Sequence, residues 1–149
     1  MYSILNFGAR KGLAEARTEP SAKHRARKTG VRGETYAYWY LRHQGYVVIA
    51  RNFTVPGVKG ELDMVAYDGP VLAFVEVKTR AAVEPGQPRP EDAINHEKRR
   101  NLARMARQFL RARRLEDTAW RFDVLAIETS LGRKPTVRLH KAAFGEEKY

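Results

Sequence analysis

The stretch Gly60-Glu61-Leu62-Asp63-Met64-Val65-Ala66-Tyr67-Asp68-Gly69-Pro70-Val71-Leu72-Ala73-Phe74-Val75-Glu76-Val77-Lys78-Thr79-Arg80 decides the fold. Two β-rich runs, Gly60 to Tyr67 and Val71 to Arg80, flank the turn formers Asp68-Gly69-Pro70, which predicts an antiparallel hairpin. Side chains alternate along a strand, so Leu72, Phe74, Glu76 and Lys78 share one face and Val71, Ala73, Val75 and Val77 the other. Both faces are apolar up to Val75, as expected of an interior strand. A loop of Asp68 to Val71 pairs Tyr67 with Leu72, and the same register sets Asp63 opposite Glu76. Directly opposed side chains lie about 4.5–5.5 Å apart at Cβ. A slip of two residues would bring Glu61 there instead.

Two ionised carboxylates at that separation repel, and a divalent cation relieves the repulsion. Lys78 projects from the same face one repeat further along, where it can orient water or offset charge on a phosphoryl oxygen. A metal ion, two acids and a cation meet the needs of phosphodiester hydrolysis. The rival reading is a surface salt-bridge cluster of little consequence. Against it, charges that end a buried strand are costly unless paired or used.

Outward from the hairpin, Val31 to His43 is helix-compatible, and Gly45 follows where a C-terminal cap belongs. Glu34, Ala37, Tyr38 and Leu41 fall on one helical face, so Glu34 opens a face that is otherwise to be buried. A carboxylate in a first helical turn also has a purely electrostatic rationale. Tyr36, Tyr38, Trp39 and Tyr40 suit either base stacking or the core. Tyr46 to Phe53 reads as a strand, and the proline-rich residues 81–92 as a loop.

A second helix is expected from Glu91 to Arg114, with Ile94, Leu102, Met105, Ala106 and Phe109 as its apolar stripe. Lys98 interrupts that stripe: either it reaches the site or a phosphate, or its stem packs while the ammonium snorkels to water. Arg121 to Thr129 and Thr136 to Ala142 complete the strands, with Asp123 assigned a structural role as partner to Arg121 or to a neighbouring helix. The expected class is α/β, one mixed sheet flanked by helices in the order α-β-β-β-α-β-β.

Composition narrows the function. The 149 residues suit one domain, and Lys and Arg total 28 against 17 Asp and Glu, a net charge of +11 that favours polyanions. Cysteine is absent, which excludes disulfides and thiolate zinc sites, and the four histidines show no ligand spacing. No run approaches the ~18 apolar residues of a membrane span, and no secretory signal is read, so a cytoplasmic protein is expected. Residues 1–28 carry seven Lys or Arg without a sustained period and are expected to form a flexible basic arm before a domain at 29–149. An inert extension and an organellar transit segment are the alternatives for that arm.

Gly33-Glu34, Arg51-Asn52-Phe53, Gly60-Glu61-Leu62-Asp63, Phe74-Val75-Glu76-Val77-Lys78-Thr79-Arg80, Lys98 and Arg121-Phe122-Asp123-Val124 occur in the order seen in the YraN-like family, which this chain resembles over about residues 30 to 140. That family is grouped with predicted endonucleases of the restriction-endonuclease-like, PD-(D/E)xK superfamily, to which archaeal Holliday-junction resolvases are similar. The resemblance implies Asp63, Glu76 and the carbonyl of Val77 as ligands of Mg²⁺ or Mn²⁺, Lys78 as the catalytic lysine and Glu34 as the first-helix acid completing the site. One departure is Leu62, where many superfamily members have proline before the aspartate. Lys98, Arg99, Arg51 and Arg80 are the candidate nucleic-acid contacts. The expected activity is metal-dependent endonucleolysis, on DNA ahead of RNA and on branched or repair substrates, with a homodimer as one arrangement. A nonenzymatic nucleic-acid-binding module and an RNA-directed processing factor are the rival functions.

Overall fold

The structure, a computed structural model, describes residues 22–82, 86–89, 92 and 94–145. Its elements run α1 (Ala22–His43), β1 (Val47–Phe53), β2 (Leu62–Asp68), β3 (Val71–Ala81), α2 (His96–Arg113), β4 (Trp120–Thr129) and β5 (Thr136–Phe144). The order α-β-β-β-α-β-β is the expected one. The five strands lie side by side in sequence order, antiparallel except for β3 and β4, which pair in parallel through the α2 crossover.

The hairpin register is as the sequence predicts. Tyr67 pairs with Leu72 and Met64 with Val75, and the turn closes one pair tighter than expected, with Asp68 on Val71. β3 is buried from Leu72 through Glu76, because each of its faces carries a helix. On one face Leu72 and Phe74 meet Leu102, Met105 and Phe109 of α2, with Phe74 and Phe109 edge to face at 5.8 Å between ring centroids. On the other, Ala73 and Val75 meet Ala37 and Leu41 of α1. The core is therefore two layers divided by the sheet.

Helix boundaries are where the sequence reading departs. α1 opens at Ala22 rather than near Val31, so residues 22–28 of the expected arm continue the helix, while residues 1–21 lie outside those described. It ends as expected: Gly45 adopts φ 90°, Tyr46 N–H donates to the Leu41 carbonyl at 3.0 Å, and Gly45 N–H to that of Arg42 at 3.1 Å. α2 begins at His96 instead of Glu91, because Asn95 caps it by accepting from Lys98 N–H at 2.9 Å. Of the loop before it, residues 83–85, 90–91 and 93 are outside those described.

Asp123 has the structural role expected of it. Fully buried, it accepts from Arg121 Nε at 2.8 Å, Arg121 Nη2 at 3.0 Å, the Tyr46 hydroxyl at 3.2 Å and Ala142 N–H at 2.9 Å. Arg121 also reaches Asp68 Oδ2 at 2.6 Å. This network runs from Asp123, paired with Val75 of β3, to Asp68 at the end of β2, which lies roughly 17 Å along that strand from Asp63 at ~3.4 Å per residue.

Candidate active site

Four carboxylates converge where β2 starts and the second half of β3 begins. Asp63 is the second residue of β2, and Glu76 ends the buried run of β3. The paired ladder stops at Met64 and Val75, one step short of both acids. Beyond that step Asp63 Oδ2 accepts the Val77 N–H at 2.7 Å, a side chain taking the place of a strand partner. Glu34 enters from α1, and Glu61 from the segment before β2. Among the described residues, one ligand oxygen each from Glu34, Glu61 and Asp63 lie within 4.8 Å of one another.

Glu34 reaches this point because α1 crosses β3 at very close range. Gly33 is buried against Thr79, and a β-carbon at residue 33 would fall 1.9 Å from the Thr79 hydroxyl oxygen. No side chain larger than hydrogen fits there. Glu61 follows Gly60, whose φ of 100° turns the chain into β2.

Two lysines meet the acids, one from β3 and one from α2. Lys78 Nζ lies 3.4 Å from Glu76 Oε1, and Lys98, from the first turn of α2, pairs with the same oxygen. The other oxygen of Glu76, Oε2, is buried and accepts no hydrogen bond from the described residues. Burial and the Glu76 charge push Asp63 up to about 8, against the partial relief of the Val77 N–H. Glu34 is raised by burial and by Glu61, with Arg51 offsetting part of the effect. Burial and the neighbouring Lys98 lower Lys78. For Lys98 burial also lowers the value, but Glu76, Lys78 and Asp63 outweigh it, so its net shift is upward. The site thus holds more carboxylate than its own cations neutralise comfortably.

The other expected contacts are spread out. Arg51 is exposed, with its guanidinium 4.7 Å from the Tyr38 ring and close enough to act on Glu34. Arg80 Nη2 donates to the Pro88 carbonyl, tying the end of β3 to the following loop. Arg99 turns away from the acids, with its guanidinium 5.3 Å from the Phe144 ring. At Val77 the N–H is bonded to Asp63 Oδ2. Glu61, weighed in the sequence only as a consequence of register slip, joins the cluster with the register unslipped. Its signal was the Gly60-Glu61 pair: a glycine turn aims the next side chain independently of strand alternation.

A cleft of about 180 Å³ opens on the acids, lined by Lys59, Glu61, Asp63, Lys98 and Asn101 among others. It is smaller than the ~300–1,000 Å³ typical of enclosed small-molecule sites. A shallow cleft of this kind suits one group of a larger molecule lying across it. A mixed five-stranded sheet between two helices, with acids and lysines gathered where its central hairpin opens, is the class of domain that these observations define.

The family model described as "Uncharacterised protein family UPF0102" matches residues 33–127. Similar relatives include UPF0102 proteins of Koribacter versatilis, 42% identical over 78% of this chain and 79% of theirs, and of Symbiobacterium thermophilum, 40% identical over 80% and 98%. A UPF0102 protein of Solibacter usitatus is 41% identical over 75% and 82%. The chain belongs to the UPF0102 family. The matched span begins at Gly33, the residue that lets α1 approach β3, and contains every carboxylate of the cluster.

Proposed function

We propose that this chain is a metal-dependent phosphodiesterase of the endonuclease type, related to the PD-(D/E)xK enzymes, acting on nucleic acid with DNA as the first candidate. The observation that carries the reading is the meeting of Glu34, Glu61, Asp63 and Glu76 with the ammonium groups of Lys78 and Lys98 at one end of the β2–β3 hairpin.

The residues fit a hard divalent cation. All donors are carboxylate oxygens, no histidine is among them, and the chain has no cysteine, a set suited to Mg²⁺ or Mn²⁺ rather than zinc. The buried Glu76 Oε2 is an acceptor still to be filled. Asp63 is common to the pairing with Glu76 and to the trio with Glu34 and Glu61, so it is the central ligand in either arrangement. Such an ion supplies Lewis-acid stabilisation of charge on a phosphoryl oxygen.

The chain's own cations do the remaining work. Lys78 stands at the open end of β3 and presents N–H groups to a phosphoryl oxygen or a water. Lys98 contributes a second ammonium, and α2 places it there because Asn95 starts the helix one turn before. Exposed Arg100, Arg104, Arg107 and Arg111 recur along the outer side of α2, with spacing that lets them follow a phosphate backbone away from the acids. No described helix is long and apolar enough to cross a membrane. The cytoplasm remains the compartment we propose, and the basic N-terminal residues a further source of phosphate contacts.

Calorimetric titration of Mn²⁺ into wild type and Asp63→Ala, followed by cleavage assays on duplex, branched and single-stranded DNA and on RNA, tests the proposal. Metal binding and cleavage that both disappear in Asp63→Ala are expected. Nucleic-acid binding without metal uptake or cleavage would overturn the enzyme reading in favour of a binding module. Cleavage confined to RNA would assign an RNA-processing role.

A further inference from the structure

The inner face of α1 is spent on Glu34, Ala37, Tyr38 and Leu41, but its outer face is an unusual surface. Arg32, Thr35, Tyr36, Trp39, Tyr40 and His43 line a groove of about 480 Å³ there. Trp39 is 52% exposed and Tyr36 41%, two of the four large hydrophobic side chains left exposed among the described residues. They sit on adjacent turns of one helix. Trp39 is held in place: Tyr38 packs edge-on against it at 5.2 Å, Arg42 lies 5.3 Å from its ring, and its carbonyl meets His43 Nδ1 at 2.7 Å.

We infer that this outer face of α1, built on Tyr36 and Trp39 and edged by Arg32, Arg42 and His43, is a subsite for an unpaired nucleic-acid strand. The inference rests on the nuclease reading and specifies its substrate class. Exposed aromatic rings among cations offer stacking surfaces for bases with positive charge for phosphates, a pairing that single strands satisfy. A duplex does not, because its bases are stacked on one another and present only their edges.

Charge decides against a second copy of this chain as the occupant. Glu34 is the sole acid on the described part of α1 and it faces inward, whereas the groove is lined by Arg32 and His43, with Arg42 beside the Trp39 ring. Two such faces would bring like charges together on a chain of net charge +11.

Position links this face to the acids. Glu34 and Trp39 lie on opposite sides of the same helix, a width of ~10–12 Å with side chains. A strand stacked on Tyr36 and Trp39 need only pass over the turn carrying Arg32 to reach Glu34. The substrate this describes has an unpaired stretch beside the scissile bond: a flap, a gap or a fork.

Anisotropy of a fluorescein-labelled oligothymidylate and of a blunt duplex of equal length, in EDTA, tests the inference on wild type, Trp39→Ala, Trp39→Phe and Tyr36→Ala/Trp39→Ala. Single-strand binding should weaken roughly 10-fold or more in Trp39→Ala, given the usual worth of one base–aromatic stack, and recover in Trp39→Phe. Duplex binding should change less than about 2-fold. Equal losses on both substrates, or none, would overturn it. So would wild-type dimers that dissociate in the double variant during sedimentation, or losses seen only on anionic lipid vesicles. Because EDTA removes cleavage from the readout, the two readings fail separately. Single-strand discrimination without cleavage sinks only the nuclease, and cleavage with unaltered binding by the aromatic variants sinks only this subsite.

Discussion

Gly33 and Thr79 touch at a distance that admits no β-carbon: one built on Gly33 would stand 1.9 Å from the Thr79 hydroxyl and 2.8 Å from its Cβ. This contact sets the height of α1 over β3 and thereby delivers Glu34 to Asp63. On an unobstructed helix, Gly→Ala stabilises by about 1 kcal/mol. Here the sign should reverse, with Gly33→Ala losing roughly 1–3 kcal/mol through overpacking. Denaturant melts of Gly33→Ala, Thr79→Ala and the double variant check this. The double variant should be more stable than the sum of the singles, since Thr79→Ala removes the closest atom. Strict additivity would show that the two residues do not meet.

The metal-free protein should lose stability as the pH rises. Asp63 is raised from 3.8 to about 8 by burial and by Glu76. Between those values the folded state binds a proton that the unfolded state releases, so the contribution is full below about pH 4 and fades towards pH 8. Asp63→Asn removes the effect. It should be more stable than metal-free wild type at pH 8, by on the order of a few kcal/mol at ~1.4 kcal/mol per pKa unit, and similar to it near pH 4. Melting curves in EDTA across that range measure the gap. A constant gap would mean that Asp63 titrates normally.

Lys98 pairs with Oε1 of Glu76, beside the Oε2 left for the proposed cation, and its charge opposes that of the ion. Lys98→Met keeps the packing stem and removes the competitor. Calorimetry should show Mn²⁺ binding several-fold tighter, while the slope of log K against log salt for DNA falls by about 1. An ammonium that merely snorkels to water would leave both quantities unchanged.

Asp123→Ala should separate stability from the site. It takes away one of the two carboxylates of the partly buried Arg121, leaving Asp68, and leaves the Tyr46 hydroxyl and Ala142 N–H short of an acceptor. A loss of roughly 1–3 kcal/mol is expected from donors left without their acceptor. Mn²⁺ affinity measured below the melting transition should stay at the wild-type value, because Asp123, level with Val75, projects from the face of the sheet opposite to Glu76. A parallel fall in affinity would show that the two faces are coupled.

The hairpin was legible because everything that fixes it is local. Asp68-Gly69-Pro70 sets the turn, and alternation then carries Glu76 and Lys78 to one face by counting. Leu62 already escapes that counting: it packs on the α2 side with Val65, although strict alternation would send it with Met64 to the α1 side. The ladder ends there, so the position of Glu61 depends on the turn at Gly60 and not on a period. The start of α2 was misjudged for a related reason. Glu91 and Asn95 are both acceptable helix openers in sequence, and the Asn95 side chain wins by bonding the Lys98 N–H. Parallel pairing of β3 with β4 is a long-range outcome, signalled only by the strand–helix–strand order behind the expected mixed sheet.

That parallel pairing sets a sequence of events for the nascent chain. The β2–β3 hairpin closes through a short turn, at little loop entropy, and it draws Asp63 and Glu76 together. Lys98, the counter-charge from α2, arrives only when the helix crosses over to let β4 dock beside β3, a far less local contact. The chain therefore gathers Asp63 and Glu76 early, with only Lys78 beside them, and adds its second ammonium late. A free divalent ion present during synthesis would meet the acids proposed to hold it before Lys98 does.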